Sequence, residues 1–119
     1  MTTDVRKKER LFKVFAIVKG GLGPFMHRVG LIYSATELNS RPKNFGPFTA
    51  FSDLKFVEPL NISNCEIVCE VEGERSDEKE VYSPGAIRLN LGNLMSGAVL
   101  IDSFRVIRKL ARAEYSKKV

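Results

Sequence analysis

The stretch Cys65-Glu66-Ile67-Val68-Cys69-Glu70-Val71-Glu72 decides the fold class. Cys65, Ile67, Cys69 and Val71 alternate with Glu66, Glu70 and Glu72. A period of two sends successive side chains to opposite faces, so this segment reads as a strand with one face buried and one wet. On such a strand the two cysteines share a face roughly 13 Å apart, too far for a disulfide. The chain has one histidine, His27, so a four-ligand metal site is not in prospect. The expectation is two buried thiols in a reducing compartment, with no metal and no cofactor.

Other strands appear on both sides. Leu11–Val18 (LFKVFAIV) is aromatic and β-branched, interrupted only by Lys13. Extended character resumes over 25–33, is expected again at 54–57, and alternates over 86–91. Ala98–Ile107 (AVLIDSFRVI) forms the last strand. Helical signals are few. Ser34 and Glu37 fit a capping box and predict a short helix over 35–40, ended by Pro42. The tail after Ile107 predicts a second, with Leu110, Ala111 and Tyr115 on one side. The fold class is therefore α+β: a single strand-rich domain, an antiparallel sheet with one or two short helices. Residues 1–10 form a basic N-terminal arm, and 11–119 a globular domain with a basic tail.

Charge is segregated along the chain. Residues 1–20 carry six basic side chains against two acidic, and so do residues 102–119. Between them, 58–80 holds eight acids against Arg75 and Lys79. Two basic ends flanking an acidic middle suit a chain that meets a polyanion and pairs with its own copies. The candidate contact residues are Arg6, Lys7, Lys8, Arg10, Lys13, Arg108, Lys109 and Arg112. No apolar run approaches the ~18 residues of a spanning helix, and no secretory signal precedes the first strand.

The loop Val18–Arg28 (VKGGLGPFMHR) lacks the GxxxxGK[ST] of a P-loop and the final glycine of a dinucleotide loop. It carries Leu22, Phe25 and Met26 on a glycine-rich backbone, either folded into the domain or exposed as an apolar tip for a lipid surface or a neighbouring copy. With His27 outside any nucleophile motif, and the acids spread over a strand and a loop, no catalytic residue is expected.

Three segments, in order, resemble the matrix proteins of rhabdoviruses. They are Arg6–Val14 (RKKERLFKV), Pro59–Ile62 with the strand Glu66–Glu72 that follows it, and Ser96–Ser103 (SGAVLIDS). That resemblance implies a non-enzymatic virion protein in the host cytoplasm, one that self-associates and bridges an anionic membrane and the nucleocapsid. A second resemblance links Tyr82–Gly85, Leu100–Asp102 and Arg105 to the single-stranded-DNA-binding proteins of filamentous phages. It implies an OB-fold, with Phe45, Phe48 and Phe51 as stacking platforms for single-stranded nucleic acid.

Overall fold

The strand anticipated at CEIVC forms and runs further than its alternation, because its two neighbours together supply ladder partners along its whole length. The computed structural model describes residues 8–19, 21–24, 31–60, 62–84 and 88–115. In chain order the strands are β1 (Lys8–Val18), β2 (Gly21–Pro24), β3 (Asn39–Ser40), β4 (Phe48–Phe51), β5 (Glu66–Arg75), β6 (Glu80–Val81), β7 (Leu89–Asn90) and β8 (Ala98–Lys109). Helical residues are confined to 3-10 turns at Leu54–Phe56, Glu58–Leu60 and Leu91–Asn93, and to one turn of helix, α1 (Arg112–Tyr115). The helices build no layer, so the fold is a strand-rich antiparallel one and the α+β label is too generous.

The pairings close on themselves. β5 pairs with β1 from Ala16–Glu66 to Lys8–Glu74 and with β8 from Cys69–Lys109 to Arg75–Ile101. β4 joins the far edges of the same two strands, through Phe12–Phe51 on β1 and Phe48–Ile101 to Phe51–Ala98 on β8. The ring β1–β5–β8–β4 is a small barrel. β2 and β3 continue its wall along β1 and β8, and an isolated bridge links Leu22 to Tyr33. Every one of these pairs is antiparallel.

Closure needs strong bending, and two irregularities in the β5–β8 register, at Glu70/Val71 and Glu74/Arg75, supply it. Gly73 lies between these two irregularities, where the wall is tight: a Cβ there would sit 3.0 Å from Ile101 Cδ1.

Alternation along the strands divides the apolar residues into two clusters. Leu11, Phe15, Leu22, Tyr33, Phe48, Cys69, Val71, Ile101 and Phe104 fill the barrel. Val14, Phe51, Val57, Ile62, Val68, Leu110 and Tyr115 pack on its outside, beneath the 3-10 turns and α1. The tail is thus anchored at Leu110 and Tyr115, while Ala111 is exposed.

Several local expectations fail for identifiable reasons. Ser34 Oγ does accept from Thr36 and Glu37 N–H, at 3.2 and 2.9 Å. No helix follows, because the Asn39 amide accepts from Ser34 N–H (2.8 Å) and donates to Ser34 C=O (2.9 Å), closing a loop that leads into β3. At 54–57 the expected strand is a 3-10 turn capped by Asp53, whose carboxylate accepts from Lys55 N–H at 3.0 Å. Cys65 is exposed, just before β5 begins, and only Cys69 is buried.

Burial pushes the Cys69 thiol up to about 11, against the opposing pull of Lys109. A thiol-alkylating reagent near neutral pH is expected to modify Cys65 quickly and Cys69 only after unfolding, as read by mass spectrometry of the labelled peptides. Two rapidly labelled thiols would contradict this packing.

Candidate contact surfaces

The barrel brings the two basic segments to either side of the acidic one. On the outer face, Lys8 lies opposite Glu74, and Arg10 opposite Glu72, across the β1–β5 ladder. Arg105 stands opposite Glu72, and Arg108 opposite Glu70, across the β5–β8 ladder. Arg10 and Arg108 converge on one carboxylate: Arg10 Nη1 is 2.9 Å from Glu70 Oε2, and Arg108 Nε is 3.1 Å from Glu70 Oε1. Hydrogen bonding from Arg10, then from Arg108, holds the Glu70 carboxyl below its ordinary range. Because this carboxyl titrates lower in the folded chain than in the unfolded one, its stabilising effect is full above the ordinary carboxylate range. That effect is lost as pH falls through the depressed value. Arg75 pairs likewise with Glu9 at 2.7 Å.

The charge segregation seen along the sequence is therefore largely answered within the sheet. Arg108 also pairs with Glu114 at 3.0 Å, and Glu114 accepts from Ala111 N–H at 2.7 Å. Arg112 binds the C=O groups of Ile62 and Ser63 at 2.8 and 2.7 Å. These two arginines fasten the tail, with guanidinium groups that still reach the surface. Lys8 and Lys109 are exposed, whereas Arg6 and Lys7 lie outside the described residues.

Lys13 is not a surface cation. It is 4% exposed and points into the barrel, because it shares the inward period of Leu11 and Phe15. Its Nζ donates to Thr49 C=O at 2.7 Å and lies 5.5–5.7 Å from the ring centroids of Phe15, Tyr33, Phe48 and Phe104. These rings pack edge-on or tilted, with centroids 5.0–5.7 Å apart. Four negative ring faces and a carbonyl make this one of the few interior settings that suit an ammonium. Thr49 lies two residues before Phe51, whose pairing with Phe12 is the only β4–β1 pair described, so the lysine also ties the seam of the barrel.

The apolar tip is corrected at one of its three residues. Leu22 is buried in the barrel cluster, and Phe25 and Met26 lie outside the described residues. The exposed apolar side chains at this end are Ile17 (54%), Val18 (38%) and Ile32 (60%), which the sequence reading missed.

The stacking residues fare similarly. Phe48 and Phe51 are each 1% exposed, one inside the barrel and one outside it, because β4 is covered on both faces. Phe45 alone remains half exposed.

A second charged cluster ties the 41–47 loop to the β5–β6 connection. Arg41 pairs with Glu78 and, at 3.5 Å, with Asp102, and Tyr82 Oη donates to Glu78 at 2.6 Å. The Arg88 guanidinium lies 4.2 Å over the Tyr82 ring. Among the described residues no group of three metal-ligating side chains converges, and no helix is long and apolar enough to cross a membrane. No family model matches the chain, and no curated protein and no solved structure gives a significant match.

Proposed function

We propose that this chain is a non-enzymatic, matrix-like viral structural protein that self-associates and bridges an anionic membrane and a nucleocapsid. The observation that supports this reading is the convergence of its two basic segments on one outer face. Lys8, Arg10, Arg105 and Arg108 line it beside the acidic residues of β5, Glu66, Glu70, Glu72 and Glu74. Arg6 and Lys7 directly precede Lys8 in the sequence. A face of this kind meets lipid headgroups or nucleic-acid phosphates through charge alone and without sequence readout.

Each lysine or arginine near a phosphatidylserine-rich surface contributes about 1 kcal/mol. The double variant Lys8→Gln/Arg105→Gln removes two exposed charges and leaves the Glu70 pairs in place. Its affinity for such vesicles at low ionic strength is expected to fall about 30-fold, with binding by the native chain lost on adding salt. Equal binding by native chain and variant, or no vesicle binding by the native chain, would falsify the membrane half of the proposal.

A further inference from the structure

Resting on the membrane contact just proposed, we infer that the strap formed by residues 110–115 is a latch. An anionic lipid surface releases it, and its freed Leu110 and Tyr115 then enter the lipid. Two kinds of contact hold the strap down. Leu110 and Tyr115 are 4% and 6% exposed, packed over Val14, Phe51, Val57, Ile62 and Val68. The polar fastenings lie at the surface: Arg112 reaches the C=O groups of Ile62 and Ser63, and Glu114 reaches back to Arg108. Arg112 is exposed, and the Arg108 side chain is 51% exposed. Exposed ion pairs of this kind contribute little in water, so the latch rests mainly on two apolar side chains.

The arginines that fasten the strap are the ones an anionic surface would take. While the strap is docked, Arg108 faces two carboxylates, Glu70 and Glu114, and the Arg112 guanidinium is occupied by carbonyls. Release carries Glu114 away from Arg108 and frees the Arg112 donors for phosphate. A headgroup layer therefore binds the released strap more tightly than the docked one, and that difference shifts the equilibrium. Lipid suits the released strap better than nucleic acid does. Leu110 needs an apolar phase, and the Tyr115 ring, with the Arg112 guanidinium 5.9 Å from its centroid, suits the boundary between headgroups and acyl chains.

Amide hydrogen exchange of the full chain, read by mass spectrometry on peptides covering 110–115, tests the latch. When docked, Leu110 N–H donates to Val68 C=O at 3.0 Å and Glu114 N–H to Ala111 C=O at 2.9 Å. Exchange there is expected to quicken at least tenfold on phosphatidylserine-rich vesicles and to stay unchanged with phosphatidylcholine alone. Glu114→Gln is expected to quicken it without vesicles and to tighten vesicle binding about fivefold. In phosphatidylserine nanodiscs, a nitroxide on the acyl chains is expected to broaden the ring resonances of Tyr115 and not those of Tyr33 in the barrel. Vesicle binding with unchanged exchange overturns the latch and leaves the membrane contact standing. A chain that binds no vesicle overturns both. Faster exchange with a single-stranded oligonucleotide, but not with vesicles, overturns the lipid assignment, and sharp Tyr115 signals beside faster exchange overturn the insertion.

Discussion

Replacing Lys13 with alanine is expected to remove about 4 kcal/mol of stability, a large part of the 5–15 kcal/mol available to a domain of this size. The side chain is enclosed by Phe15, Tyr33, Phe48 and Phe104, so its deletion opens a cavity that the rings close only in part. The same change strands the Thr49 carbonyl, which costs about 1–3 kcal/mol when buried. Lys13→Met keeps the volume, loses the donor, and also removes the cost of desolvating an ammonium. It is expected to be markedly milder than alanine. Lys13→Glu sets a carboxylate against a carbonyl and four negative ring faces, and is expected not to fold. Urea unfolding of the three variants tests the order. A Lys13→Ala protein as stable as the native one would mean that this lysine reaches solvent.

Gly97→Ala is the second severe change. Gly97 has φ +79°, a left-handed conformation that costs a residue with a Cβ about 1–2 kcal/mol. It also faces Phe56, and an added Cβ would lie 2.1 Å from Cγ and Cδ2 of that ring. Phe56 packs against the outer cluster, and Gly97 C=O accepts from Ser52 N–H at 3.2 Å where the chain turns into β8. Neither side can yield without loosening the β4–β8 seam. A loss of more than about 3 kcal/mol is expected, lowering the melting temperature by roughly 10–15 °C. Phe56→Ala/Gly97→Ala relieves the collision and retains the backbone strain, so it is expected to be less destabilised than the sum of the single variants. Strict additivity in thermal melts would contradict the collision.

The long strands were legible because each pairs along most of its length, so its period of two survives in the sequence. CEIVCEVE shows this most clearly, whereas LFKVFAIV was legible from its aromatic and β-branched content. Barrel closure was not legible. It depends on two register irregularities and on a single described β1–β4 pair at Phe12 and Phe51, which leave no trace in hydrophobic pattern. Lys13 misled for a related reason. A lone lysine in an apolar run reads as a snorkelling surface cation until four aromatic residues, remote from one another in sequence, are seen around it.

The charge pattern was read correctly as segregated, yet its first consequence is strand pairing. Arg10, Glu70 and Arg108 belong to three different charge blocks and meet on one face. The phenylalanine spacing at 45, 48 and 51 suggested a platform, but β4 is covered on both sides and uses two of the three rings as core. Ile17, Val18 and Ile32 went unremarked because an exposed apolar side chain is visible only once the ladder beside it is known to have stopped.

Electron microscopy of phosphatidylserine-rich vesicles incubated with the protein at low ionic strength joins the two proposed contacts in one measurement. A continuous protein coat is the predicted result, dispersed by added salt. Bare vesicles beside freely dispersed protein would contradict a matrix-like role.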